Sequence, residues 1–518
     1  MIYRSSYLVP ALLPGLIMAQ AIATIQVYLS NSGLHCTLET IKAHGYLPVP
    51  TDLVMPNLNG FLPAFCGGLF FTLSLGAGLS LLALAAAWAW GHFPRRKRTL
   101  LMIYSLCGLG ILIAVNFLGL NLAASAYFVC IPPLVFRAAL GGPAPAGRRA
   151  GGYISWITVG SGLLLAILWF PHLDSDIFGK VRDRLLLSNR IGQQFNQFYY
   201  DYTLYAAEVL KSLDQKTLKT CSVADVKRAP VARALAKEFA KHDYLNRGSD
   251  GVADLQVTEA DSQFVLTHRG KVVMATTLKD LLSRTGPVLK EFSDRTDRQV
   301  FFRKTVYYSL LIGLPVILYL FLVDLFRFGL GFFLTAGRAS LAAGLICFCL
   351  GAGLLAVFSP GSDTGGDGLA AAGALESENF HDRVAALKMI EQKGLEVAGF
   401  AGYDRLLGSP HVAERYWLVR TLGVSRQART YRDLLNFLDD PQLNVATMAY
   451  YALGRRGDRR AVAEILARIQ ASRHWYKQWY AYRALKALGW AQSRNAEMGQ
   501  KGVFFKGLDA GKGMRGEG

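Results

Sequence analysis

The sequence predicts a mainly α-helical membrane protein. About seven transmembrane helices are expected, with a small α+β module inserted between them and a C-terminal α-solenoid. Three observations carry this. Seven long apolar runs interrupt the chain, the clearest being the uncharged ASLAAGLICFCLGAGLLAVF from Ala339 to Phe358. About 20 such residues let an α-helix cross the hydrocarbon core of a bilayer. A helix also satisfies its backbone hydrogen bonds within one segment, as a water-free interior demands. Between the fifth and sixth runs, residues 172–302 are too polar for lipid and long enough to be a domain. Past a Gly-rich linker, a two-helix pattern repeats.

Composition agrees. The 518 residues are 52% hydrophobic and 18% charged, against roughly 25% charged in soluble chains. The net charge of +19 belongs to collars beside the apolar runs and to the C-terminal repeats, so the expected partner is the lipid bilayer and not nucleic acid. The seven cysteines form no CxxC or CxxCH motif, which leaves no basis for a metal, haem or other cofactor.

In chain order, spans are expected near 8–29, 67–90, 99–117, 120–138, 152–171, 304–323 and 339–358. The first reads as a retained helix, because its apolar run continues to Tyr28; Ala19-Gln-Ala21 supplies the competing signal-peptide cleavage site. The third and fourth read as a hairpin turning between Asn116 and Asn121. Basic collars at Arg4, Arg95 to Arg98, Arg137 with Arg148 and Arg149, and Arg327 with Arg338 fall on one side when seven spans alternate. The positive-inside rule makes that side cytoplasmic. Segments 30–60 and 172–302 and the C-terminus are then extracytoplasmic, periplasmic if the chain sits in a bacterial inner membrane. Cys36 and Cys221 would share an oxidising compartment, where a disulfide between them is a candidate. Polar groups inside these spans are few, at Gln20, Gln26, Asn116 and Asn121, and no Asp, Glu or Lys lies mid-span, which argues against an ion-coupled carrier.

The module at 172–302 opens on a helix whose Ile191, Phe195, Phe198, Tyr202, Tyr205 and Val209 form one apolar stripe. Such a stripe suits either a core or a membrane interface. A second helix is expected around Val223 to His242. Short strands follow from Ala253, Gln263 and Lys271, with Arg269-Gly270 as the turn between the last two, and a helix near Thr277 to Asp294 leads back to the membrane. No GxSxG, HExxH or P-loop is present. Asp174, Asp176 and Asp183 are explained as a solvated helix start rather than a cation site.

Linker residues 359–378 lead to the repeats at 379–492, and a Gly- and Lys-rich tail at 493–518 reads as disordered. HVAERYWLVRTLG (411–423), LNVATMAYYALG (443–454) and KQWYAYRALKALG (477–489) are copies of one helix, and DRVAALKMI (382–390) is a degenerate fourth. Leu422, Leu453 and Leu488 are spaced by 31 and 35. Second helices lie at Tyr431–Leu438 and Ala461–Ile469, and Asp440-Pro441 marks a boundary. This region resembles the HEAT-repeat family, in the short variety first described in phycobilisome lyases, although it has no bilin-attachment signature. The resemblance implies a protein-interaction surface. Second helices often line the concave side of a solenoid, which nominates Arg429, Arg432, Asp433, Arg459 and Arg468 as partner contacts.

The sequence therefore points to a non-catalytic membrane scaffold, or subunit of an envelope complex, that binds a protein partner through its repeats. A membrane enzyme or carrier for lipid-linked or envelope substrates and a passive channel are the alternatives. No catalytic residue can be named for either.

Overall fold

The structure is a computed structural model describing residues 9–93, 95, 97–141, 156–172, 177–249, 251–260, 263–358 and 373–493. The linker at 361–368, the tail, Arg4, Arg148, Arg149, Asp174 and Asp176 lie outside the described residues. The helices are α1 Val9–Ala43, α2 Phe61–His92, α3 Lys97–Asn116, α4 Leu122–Gly141, α5 Trp156–Trp169, α6 Arg190–Leu210, α7 Ala229–Lys241, α8 Leu278–Ser283, α9 Thr285–Thr296, α10 Val300–Leu330 and α11 Ala336–Phe358. The repeats contribute α12 Phe380–Lys393, α13 Val412–Leu422, α14 Ala428–Asn436, α15 Leu443–Arg456, α16 Ala461–Ala471 and α17 Trp475–Ala487. Six helices, α1 to α4, α10 and α11, are long and apolar enough to cross a membrane. The fifth expected span falls on the shorter α5, which continues only through one 3-10 turn to His172.

Two compact units emerge. The first contains Met1–Asn31, Gly60–Leu210 and Arg298–Arg456. Its apolar helices pack through small residues and rings. Phe71, Tyr127 and Phe302 join α2, α4 and α10, with centroids 5.8 to 6.4 Å apart. Each of α2 and α10 carries a π-helical turn, at Thr72–Gly76 and Ser309–Gly313. Just beyond these turns the two backbones approach so closely that a Cβ on Gly313 would sit 2.9 Å from the Gly78 nitrogen. Gln20 ties α1 to α2: it donates to the Phe65 carbonyl and accepts from Thr72. Asn116 likewise closes the α3–α4 turn, donating to Ser125 and accepting from the Asn121 nitrogen. The helix expected as the sixth span, α10, runs beyond residue 323 and includes the buried Asp324, which accepts a 2.9 Å bond from the first described backbone nitrogen of α1, at Val9. A carboxylate there suits the positive end of a helix.

The second unit gathers Ser32–Asn59, Lys211–Asp297 and the chain from Gly457. Its five-stranded sheet has the order β2-β1-β3-β4-β5, from β1 Lys219–Asp225, β2 Tyr244–Asn246, β3 Leu255–Ala260, β4 Gln263–His268 and β5 Lys271–Thr276. β1 is parallel to both neighbours, and the rest is an antiparallel meander. Arg269 and Gly270 have φ of 50° and 77°, the positive values a two-residue hairpin turn needs. The expected helix from Val223 is corrected: Val223 to Asp225 end β1, and α7 begins at Ala229. Central parallel strands are covered on both faces and lack the alternation that flags a strand. The single helix expected at 277–294 breaks at Arg284 into α8 and α9. Leu235 and Phe239 of α7 and Phe292 of α9 are fully buried on a core with Val257, Phe264 and Leu266.

The helix α17 completes this unit. Gln478, at 0% exposure, accepts from the Thr51 nitrogen and donates to Thr51 Oγ1, while Gln492 makes two backbone bonds with Leu47. Tyr482 donates to Asp243, which also pairs with Lys486 at 2.9 Å. Cys36 is exposed on α1 and Cys221 is buried in β1; both are free thiols.

Candidate interaction surface

The repeats stack their first helices, α12, α13 and α15, into one layer. Equivalent positions do equivalent work. Arg383 on α12 donates to the carbonyl of Ser377, Arg415 on α13 to that of Ser409, and Gln478 on α17 to that of Ser472, each six residues back. Arg383 also pairs with buried Glu414, and Arg415 with Asp440. Each bond locks the entry of a helix to its own body or to the next repeat.

The outward side of that layer is occupied by the protein's own chain. After α5, a short helix at Ile177–Val181 passes into a π-helical turn at Arg182–Leu186. Asp183 on this turn is 5% exposed. Its carboxylate accepts from Arg182 at 2.8 Å and from the Trp417 indole at 3.0 Å, and pairs with Lys388 at 2.8 Å. Burial opposes its charge, yet Arg182 and Lys388 prevail and hold the carboxyl below the usual carboxylate range. Arg182 also stacks 4.2 Å over Tyr416 and donates to its hydroxyl. Lys388 and Arg420 lie 4.7 and 4.6 Å from the Trp417 ring centroid. Arg420 and Arg455 share Glu391. Three cations, Arg182, Lys388 and Arg420, thus surround one indole, and Arg455 joins Arg420 on Glu391. The sequence showed the acidic residue but gave no partner, because its three partners are one, 205 and 234 residues away.

With the first-helix layer turned onto its own chain, the second helix α14 carries residues open to solvent. Arg432 is exposed and has no ion-pair or hydrogen-bond partner among the described residues. Arg429 is 55% exposed, pairs with Asp404 and stacks 5.2 Å from Tyr403. Asp433 is 17% exposed and accepts from the Tyr403 hydroxyl, whose proton is held well above the usual phenol range by burial first and by Asp433 second. Of these three nominees Arg432 is uncommitted, Arg429 is held by a surface pair, and Asp433 is structural. Arg459 and Arg468 belong to the second unit. There Arg468 pairs with Glu464, four residues earlier, and the exposed Arg459 lies along Gly489. Among the described residues, no group of three or more His, Cys, Asp or Glu is arranged to hold a metal.

No curated protein and no solved structure matches the chain. Residues 403–493, covering α13 to α17, match the HEAT repeats family.

Proposed function

We propose that this chain is an integral membrane scaffold whose HEAT repeats bind a protein partner outside the cytoplasm. The carrying observation is the division of labour in the repeats. The first-helix layer is spent on the chain's own Arg182–Leu186 turn, while α14 presents an uncommitted arginine beside a surface pair worth only about 0–1 kcal/mol, which a partner can redirect. A basic face of this kind selects an acidic partner and speeds its encounter.

The bonding of the second unit supports seven crossings. Leu47 is hydrogen-bonded to Gln492, so in a membrane the two lie on one side. Between them the chain runs through α2, α3, α4, α5, α10 and α11. Six crossings return it to the same side; five, omitting α5, do not. Asp243 and Lys486, also bonded, are separated by α10 and α11 alone, an even number, so the stretch from Leu47 to Asp243 also needs an even number of crossings, which favours counting α5 with α2, α3 and α4. With seven spans the basic collars share the cytoplasmic face, and the repeats lie opposite.

The test is a crosslinking pull-down from native membranes with the full chain and with Arg432→Glu plus Arg468→Glu. Both side chains reach solvent, so the fold should survive, and the captured partner should fall by about tenfold or more for two reversed charges. Equal capture by both proteins would remove the α14 surface from consideration.

A further inference from the structure

The apolar stripe of α6 is covered along only half its length. In the C-terminal half, Tyr205, Ala206 and Val209 are buried. A Cβ on Gly67 of α2 would lie 3.3 Å from Tyr205, Asn31 of α1 donates to the Tyr205 carbonyl, and the Cys66 thiol of α2 contacts Tyr202. In the N-terminal half the same stripe continues through Phe198, Phe195 and Ile191, and no described residue covers it. Ile191 and Phe195 are each 68% exposed, Tyr199 52% and Phe198 41%. The opposite face of this half is occupied: Gly192 is pressed against Leu185 and Leu186 of the turn that carries Asp183, and Asn196 is buried.

We propose that the N-terminal half of α6 lies in the surface plane of the bilayer, with Ile191, Phe195, Phe198 and Tyr199 among lipid headgroups and upper acyl chains. This rests on the membrane reading above. Three observations select lipid as the occupant. The covered half of the stripe is covered by α1 and α2, both candidate spans. The bare half continues onto α2 itself, because Tyr202 meets Cys66, whose helical neighbours Leu62 and Phe65 are also exposed, at 60% and 39%. Cys66 is five residues from the start of α2, about 8 Å at the rise of a helix, within the depth at which interfacial helices bury their apolar face. The composition agrees, since aromatic rings flanked by Arg190 suit the headgroup boundary. α6 then acts as a beam, with the turn that grips the first repeats on one side and lipid on the other.

The test uses the full chain in vesicles of phosphatidylcholine and phosphatidylglycerol. A photoreactive benzoylphenylalanine replaces Phe195, Leu106 on exposed α3, or Val272 on the exposed edge strand β5, and lipid adducts are read by mass spectrometry. Phe195 is already an exposed aromatic residue, so the exchange leaves the fold intact. Adducts at 195 within a few-fold of those at 106, and roughly tenfold above those at 272, support the proposal. Adducts at 106 alone overturn it and leave the membrane reading standing. Adducts at none of the three positions overturn both.

Discussion

Replacing Asp183 by alanine should loosen the first repeats from the chain that carries them. The carboxylate is 5% exposed and neutralises Arg182 and Lys388, whose side chains are 23% and 34% exposed. Removing it leaves one cation largely buried, one partly buried, and the Trp417 indole N–H without its acceptor. Breaking a buried pair from one side costs about 3–5 kcal/mol, because the surviving charge is left uncompensated. Lys388 is one-third open to water and can rehydrate, which places the expected cost near the lower end, about 3 kcal/mol. At about 1.4 kcal/mol per decade that is a roughly 100-fold faster local opening. Amide hydrogen exchange on the full chain in detergent, read in peptides spanning 380–393 and 412–422, measures it directly. Lys388→Met serves as comparison. It deletes only the more exposed partner while Arg182 still neutralises Asp183, and should cost about 1 kcal/mol or less. Exchange in the β3–β5 meander should not change in either variant. If Asp183→Ala leaves α12 and α13 exchanging within a few-fold of the native rate, the carboxylate does not fasten the repeats and the reasoning fails.

Other perturbations have equally definite outcomes. Gln478→Ala removes two buried bonds, to Thr51 nitrogen and Thr51 Oγ1, and a partly buried one to the Ser472 carbonyl, and should cost about 3 kcal/mol; faster tryptic cleavage after Lys42 would register the freed 44–59 loop. Gly313→Val puts a branched side chain against the Gly78 backbone, which cannot yield as a side chain would, and should cost about 1–3 kcal/mol, whereas Gly110→Ala on α3 meets nothing within 4 Å and should leave Tm unchanged. Asp183 and Asp254 both have depressed carboxyl pKa values: burial opposes the charge in each, but Arg182 and Lys388 in the first, and Lys216 and Thr220 in the second, overcome it. Their contribution is therefore fully present above the unfolded value of about 4 and is lost as pH falls through the lower folded values. An acid titration followed by tryptophan fluorescence should show Asp183→Asn losing part of this acid-induced destabilisation; an unchanged profile would exclude Asp183 from it.

Local signals were readable in the sequence. Apolar length located six long helices, and the Leu-Gly endings located the repeats, because both are written in consecutive residues. The 271–276 strand and its Arg269-Gly270 turn were legible for the same reason. Helix ends were less so: α1 runs to Ala43, fourteen residues past the expected boundary at 29, since polar residues such as Asn31 and Thr40 are accommodated by bonding to backbone carbonyls one turn earlier. β1 was hidden by being buried on both faces. The fastening of Asp183 to Trp417 was illegible because no local pattern distinguishes a carboxylate that will be buried from one that will be solvated. Among the nominated arginines, the helix was legible but not which side chains were already engaged; Arg429 differs from Arg432 by meeting Asp404 and Tyr403, on a separate short helix at Tyr403–Leu407, and Asp433 one turn on.

The bonds between Leu47 and Gln492 join residues 445 positions apart. Leu47 must wait while the intervening chain is made before its acceptor and donor exist. Parallel strands β1 and β2 can pair in the meantime, but the clasp through Gln478, Tyr482 and Gln492 cannot close until those residues have been made. The order of synthesis thus imposes an order of assembly, with a late, non-local step of the slow kind. Until that step, the 44–59 loop offers unpaired backbone to proteases and chaperones.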